Sequence, residues 1–232
     1  MIGAPVPGAR LALYWAPEPD DPLHRHGSSW LGRDAETGAP LPQPAVPGHD
    51  LRAITADPRG YGLHATLKPP FRLRVSWAEA LDAAKGLAAR LRPFDLPPLA
   101  VRDLEGFLAL RETTPSPPLR ALSDACTEAL DVCRAPPDEA ELAKRRRAKL
   151  SAEQEANLAR WGYPYVFGAW RFHVTLTRRL SPEEKAAVLP AAEAHLGAAA
   201  LGRPRRVSSI CLFTQAGPAA PFLLAERLPF GG

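Results

Sequence analysis

The sequence predicts an α+β protein of two similar lobes, each an antiparallel sheet with helices outside, and a cleft between them. Three observations predict it. Two strand-like segments repeat one pattern, Gly62-Leu63-His64-Ala65-Thr66-Leu67 and Arg171-Phe172-His173-Val174-Thr175-Leu176. Each leads into a capped helix and then into strands, with Ser76 twelve residues after His64 and Ser181 eight after His173. The interval of 173 − 64 = 109 residues suits two lobes and is far too long for a solenoid repeat.

The elements follow in order. Residues 10–15 alternate in a strand pattern, and residues 17–58 are Gly- and Pro-rich, which predicts a long ordered loop with short turns. Residues 62–68 form the first histidine strand, stopped by Pro69-Pro70. Ser76 with Glu79 makes a capping box, and Trp77, Leu81, Ala84, Leu87 and Leu91 mark the apolar stripe of the helix that follows. Residues 99–104 and 106–110 read as strands. Residues 119–133 read as an amphipathic helix with Leu119, Leu122, Cys126 and Leu130 on one side. Two polar helices follow at 138–150 and 151–161, opened by Asp138 with Glu141 and by Ser151 with Gln154. Residues 171–177 form the second histidine strand. Ser181-Pro182-Glu183-Glu184 then caps a helix, and residues 205–214 and 222–228 close the chain as strands. Within one domain of residues 1–232, this places a first lobe at 10–134, a helical insertion at 135–168 and a second lobe at 169–232.

Composition narrows the function classes. The 232 residues are 46% hydrophobic, enough for one sizeable core or two small lobes sharing one. Lys and Arg number 29 against 25 Asp and Glu, and the net charge of +4 suits an anionic substrate without demanding nucleic acid. Three cysteines, Cys126, Cys133 and Cys211, supply neither a disulfide framework nor a zinc spacing, and the first two are expected to pack together on one helix face. His24, His26 and His49 fall in the loop-rich stretch with no acidic or cysteine cluster to complete a metal site, and His195 ends a helix. No signal peptide or membrane span is expected, so the expected location is the cytoplasm.

Side chains two apart on a strand share a face, so His64 with Thr66, and His173 with Thr175, point together while their apolar neighbours face a core. Two such strands on one cleft bring two imidazoles and two hydroxyls around a small group. A neutral imidazole takes a proton from the attacking oxygen and a charged one donates to the leaving oxygen. Threonine hydroxyls hydrogen-bond the non-bridging phosphoryl oxygens. The expected catalytic residues are therefore His64 and His173, and the expected phosphate-binding residues Thr66 and Thr175, with no metal and no cofactor.

These residues resemble the two-histidine phosphoesterase superfamily, whose signature is a pair of His-x-Thr/Ser-hydrophobic motifs on pseudo-symmetric lobes. Gly27-Ser-Ser-Trp30-Leu-Gly-Arg33, Gly106-Phe-Leu-Ala-Leu110 and Trp161-Gly-Tyr163-Pro-Tyr165-Val166 look like a bacterial branch described as phosphonate-metabolism proteins. The resemblance implies a LigT-like fold and metal-independent hydrolysis of a cyclic phosphodiester on a small sugar or nucleotide. The phosphonate branch implies, as a candidate substrate, a ribose cyclic phosphate carrying a second phosphate. The alternatives are a 2′,3′-cyclic phosphodiesterase or ligase acting on RNA ends, a non-catalytic nucleotide-binding protein, and a metal hydrolase.

Neighbouring residues extend the expected site. Lys68 shares parity with His64 and Thr66, and Arg171 with His173, so each is a candidate phosphate contact, with a solvent-facing strand end as the competing expectation. Tyr14, Tyr61 and Tyr163 are candidates to stack on a base or sugar. The run Lys144-Arg145-Arg146-Arg147-Ala148-Lys149 is expected to be a solvated helix face, with a basic flap over the substrate as the functional alternative. A small phosphorylated molecule is the expected partner, with nucleic acid less favoured and no membrane.

Overall fold

The computed structural model describes residues 8–232, so the first seven residues of the expected 1–232 domain lie outside the described part. Strand β1 (Arg10–Trp15) leads through α1 (Pro22–Leu31), α2 (Leu51–Ile54) and α3 (Ala56–Tyr61) to β2 (Ala65–Arg72). Next come α4 (Trp77–Ala88), β3 (Phe94–Leu96), the hairpin β4 (Leu99–Leu104) and β5 (Phe107–Glu112), and α5 (Pro117–Ala129). The polar pair α6 (Glu139–Arg146) and α7 (Ala152–Trp161) precedes β6 (Val174–Arg179), α8 (Pro182–Leu201), β7 (Arg205–Val207), β8 (Ser209–Gln215) and β9 (Leu223–Pro229).

The α+β class holds, with one antiparallel sheet of seven strands in the order β4-β5-β6-β2-β1-β8-β9 and a small β3-β7 pair. One face carries Leu11, Leu13, Ala65, Leu67, Val174 and Leu176 into the main core, against the buried faces of α1, α4, α5 and α8. The other face carries a thinner apolar layer that includes Ala12, Tyr14, Cys211, Phe213 and Phe222. The alternation of β1 alone sorts Leu11, Leu13 and Trp15 from Ala12 and Tyr14 in this way.

The two histidine strands are neighbours at the middle of the sheet, joined by the single antiparallel pair Ala65↔Val174. To one side lie β5 and β4, to the other β1, β8 and β9. The lobe boundaries expected at 10–134 and 169–232 cut across this arrangement. Strands β4 and β5 from the first stretch pair toward β6 from the second, while β8 and β9 from the second pair toward β1 from the first.

The expected capping boxes at Ser76, Asp138, Ser151 and Ser181 are all formed, each with the acidic or amide side chain three residues on. Three expectations are corrected. The long loop at 17–58 contains a ten-residue helix, α1, started by the Asp21 side chain and Pro22 and ended by Gly32 in the left-handed region. Strand β2 does not stop at Pro69-Pro70 but runs to Arg72. Beyond Ala65 it is paired on one edge only, to β1, and that ladder carries register shifts, so two residues without N–H groups leave no donor missing. Finally, α5 starts at Pro117 and ends at Ala129, and Asp131–Cys133 form a separate 3-10 turn; Cys126 and Cys133 are both buried all the same.

Candidate active site on the central strands

Chain direction and parity place the motif residues. Leu63, Ala65 and Leu67 are buried in the main core, as are Phe172, Val174 and Leu176, whereas His64, Thr66, His173 and Thr175 are half-buried on the opposite face. Continuing the Ala65↔Val174 register by one residue each way sets His64 opposite Thr175 and Thr66 opposite His173. Each histidine immediately precedes its strand, beside the residue pair that joins β2 to β6, and both line one cavity.

The two imidazoles are held alike. His64 Nδ1 donates to the Gly62 carbonyl at 2.9 Å, and His173 Nδ1 donates to the Arg171 carbonyl at 2.9 Å. In each case the carbonyl accepts from the residue two positions on, so the proton sits on Nδ1 and Nε2 is left with its lone pair. Thr66 Oγ1 lies 3.4 Å from His64 Nε2. Gly62 makes the first of these bonds feasible, because its φ of 82° and ψ of 178° belong to a region nearly closed to other residues. A Cβ there would also fall 2.4 Å from the Ala35 Cβ. Two tryptophans clamp the pair of strands: Trp170 Nε1 donates to the Thr66 carbonyl at 2.9 Å, and Trp30 Nε1 donates to the Leu176 carbonyl at 3.1 Å.

Burial keeps both imidazoles neutral at rest. Desolvation pushes His64 down to about 4, and the nearby His173 adds to that push; desolvation likewise lowers His173. Tyr14 contributes by covering His64, its ring stacked at 3.8 Å between centroids. The Tyr14 hydroxyl is itself buried with no hydrogen-bond partner, and burial raises its pKa well above the usual phenol value. Tyr61 stacks on Phe222 at 5.2 Å between centroids and lies 5.9 Å from the His64 ring.

A cavity of about 180 Å³ gathers His64, Thr66, His173 and Thr175. Tyr14, Tyr61 and Tyr163 line the same space. Two candidates do not reach it. Lys68 is turned to the other face by a bulge in β2, where Tyr14↔Thr66 is followed by Leu13↔Lys68, leaving Leu67 as the extra residue. Its side chain is 2% exposed, and its ammonium donates to the Thr127 carbonyl on α5 at 2.9 Å and lies 3.6 Å from Asp131. Arg171 is exposed and pairs with Glu105 at 3.1 Å, away from the cavity. His24 and His26, expected in a loop, sit on α1, where His26 and His195 each donate to the other's carbonyl and lock α1 to α8.

Among the charged lining residues, Arg10 and Asp57 were missed by the sequence reading, and Arg145 was named only as part of the Lys144–Lys149 run. Arg10 was legible, since it is four residues before Tyr14 on the same strand and so shares its face. Arg145 could not be singled out, because four other cations share its short run, Lys144, Arg146, Arg147 and Lys149. Among the described residues no three His, Cys, Asp or Glu side chains gather as a metal-binding group, and none of the described helices is long and apolar enough to cross a membrane.

Comparison with known proteins places the chain among relatives. The protein described as "Ribose 1,5-bisphosphate phosphokinase PhnN" from Janthinobacterium sp. (strain Marseille) is 41% identical over 96% of this chain and 51% of its own length. The protein of the same description from Laribacter hongkongensis (strain HLHK9) is 38% identical over 94% of this chain and 51% of its own length. The chain thus spans about half the length of the curated relatives it matches. Among solved structures, E. coli LigT complexed with 3′-AMP aligns over 96% of this chain and 98% of its own, at 17% identity and a TM-score of 0.47. TT0787 of Thermus thermophilus aligns over 96% and 98% at 14% identity and a TM-score of 0.49. These two are likenesses of outline from which nothing about the chemistry follows. Residues 66–223, well over half of the chain, match the family described as "Protein of unknown function (DUF1045)", and the protein belongs to that family.

Proposed function

We infer that the protein is a metal-independent phosphoesterase that opens a small cyclic phosphodiester. The observation that carries this reading is the pair of imidazoles held alike through Nδ1, with both histidines and both threonines lining one cavity. It is also the twin-motif arrangement of the two-histidine phosphoesterases. A bound phosphodiester is anionic, and its charge raises the pKa of the imidazole beside it, so one of the two neutral rings takes up a proton as substrate binds.

We assign His64 as base and His173 as acid. His64 lies under the Tyr14 ring, where charging it is hardest, whereas His173 is the more open of the two. His64 Nε2 removes a proton from water, the water oxygen forms a bond to phosphorus, and the P–O bond to the ring oxygen breaks. His173 gives that oxygen its proton, leaving a phosphomonoester and a free hydroxyl. Thr66 and Thr175 hold the non-bridging oxygens as charge gathers on them. Substrates are small, in keeping with the cavity of about 180 Å³.

The curated relatives carry a kinase name that refers to ribose 1,5-bisphosphate, and they are about twice as long as the aligned part. This chain has no Gly-x4-Gly-Lys-Ser/Thr run of the kind that cradles a nucleoside triphosphate. The kinase name therefore supports a sugar phosphate as substrate class more than it supports kinase chemistry here. Opening the ring of a ribose cyclic phosphate that carries a second phosphate yields a ribose bisphosphate, which connects the two.

The test is turnover of a panel of cyclic phosphates with EDTA present. Wild type hydrolyses at least one, and His64→Ala and His173→Ala each lose about a hundredfold to ten-thousandfold in kcat while melting as cooperatively as the parent. Turnover that needs an added divalent ion, or that survives both substitutions, overturns the assignment.

A further inference from the structure

Most arginines near the cavity are spoken for. Arg72 pairs with Asp138 and Glu141, Arg134 and Arg160 share Asp131, and Arg146 pairs with Glu155. Arg10 and Arg145 differ. Among the described residues neither has a carboxylate within ion-pair distance, although both are half-buried. They come from opposite ends of the fold, β1 and the last turn of α6, yet they meet at one place. Both line the histidine cavity, and both also line the two cavities that adjoin it, of about 120 Å³ and 640 Å³.

Each guanidinium is held in orientation by uncharged groups. Arg10 Nε donates to Gln215 Oε1 at 2.8 Å, and its guanidinium carbon lies 5.5 Å from the centre of the Phe222 ring. Arg145 lies over the Tyr163 ring at 4.6 Å. An aromatic ring takes up the face of a guanidinium and not its N–H edge; on Arg10, Nε and Nη2 both donate to Gln215 Oε1, so Nη1 is the group left for an oxyanion. Two half-buried cations that line the same cavities, with no carboxylate in ion-pair distance, give that space a positive field that favours an anion. Asp57, the one carboxylate on the histidine cavity, is exposed at its rim and is shared with the 640 Å³ space.

We propose that Arg10 and Arg145 form a second anion subsite beside the two imidazoles, which takes a phosphomonoester borne by the substrate away from its cyclic phosphate. This rests on the phosphoesterase reading and narrows its substrate class to doubly phosphorylated compounds. It also gives the insertion a function: α6 carries one residue of the basic run inward while Lys144, Arg146, Arg147 and Lys149 stay exposed. A groove for nucleic acid would use those outer cations as well.

The experiment compares ribofuranosyl 1,2-cyclic phosphate with its 5-phosphorylated counterpart. Turnover is measured with the intact protein, and binding is measured by calorimetry with His173→Ala. The 5-phosphate is expected to raise both kcat/KM and affinity by about tenfold to a hundredfold. In Arg145→Gln, and in Arg10→Gln with Arg10→Lys as the charge-keeping companion, the ratio between the two compounds falls toward one. Arg147→Gln, at an exposed position just past the end of α6, leaves the ratio unchanged. Equal treatment of the two compounds by wild type, or a ratio untouched by loss of both arginines, overturns the subsite. Arginine-dependent preference in binding without any turnover would sink the cyclic-diester reading and leave the subsite standing. Turnover without preference does the reverse, and binding of neither compound overturns both.

Discussion

At the scale of single residues, the protonation of His64 is the property with the widest reach. Its ordinary value is about 6.5 in an unfolded chain, and burial lowers it to about 4 in the fold. Above pH 6.5 the ring is neutral in both states and contributes nothing to the pH dependence of stability. Between about 6.5 and 4 the unfolded chain binds a proton that the fold refuses, so stability falls as pH drops through that window. Urea midpoints measured at pH 7 and pH 5 are expected to show this loss, and His64→Phe is expected to shrink it. A midpoint that does not change over that range would mean the ring is readily charged in place.

The division of labour between the two imidazoles is tested at the same scale. A nitrophenyl phosphodiester expels its leaving group without help from an acid. His173→Ala is therefore expected to recover most of its rate on that substrate, while His64→Ala remains impaired. Recovery by His64→Ala instead would reverse the assignment. The motif histidines and threonines were legible in the sequence because parity on a strand needs no tertiary knowledge. The shared Nδ1 bonds to Gly62 and Arg171 were not, since they depend on local backbone geometry.

At the scale of elements, β2 shows where parity fails. One extra residue at Leu67 turns Lys68 from the cavity to the core side, and a bulge leaves no mark in an alternating pattern. Lys68 there faces Asp131, which also holds Arg134 at 2.8 Å and Arg160 at 3.1 Å. Burial pulls the Lys68 pKa down to about 8, with Asp131 opposing. Asp131→Asn leaves these cations without their carboxylate and is expected to cost about 3 kcal/mol in urea unfolding. Lys68→Met removes the charge while keeping the volume, and Asp131 retains Arg134 and Arg160, so the variant is expected to stay within about 1 kcal/mol of the parent, with turnover kept. Equal losses from the two substitutions, or loss of turnover in Lys68→Met, would put Lys68 back in the site. The helix α1 was hidden for a related reason. Its Pro22 reads as a loop residue in a proline-rich stretch, although proline at the first helical position is favourable.

At the scale of the whole molecule, the α+β class and the presence of two motif strands on one site followed from local periodicity and repetition, whereas two separate lobe sheets were expected and a single seven-stranded sheet joins the motif strands directly. The route of the chain did not follow from them, because which edges meet is decided by contacts between distant segments. The histidine strands meet at one residue pair, with Trp30 and Trp170 fastening them on either side. The spacing of the two rings is thus set by a narrow joint rather than by a long ladder.

The crossing of strands between the two stretches of sequence makes the halves interdependent. A fragment ending near residue 135 would carry β4 and β5 with no β6 to lie against, and β1 with one bare edge. The complementary fragment would carry β8 and β9 with no β1. Neither piece owns a finished core, so each alone is expected to be unfolded or aggregated by circular dichroism, whereas the two expressed together are expected to reassemble around a common sheet. Independent folding of either fragment would contradict this. Repetition in this chain has thus produced mutual custody: each copy of the motif is built with strands lent by the other.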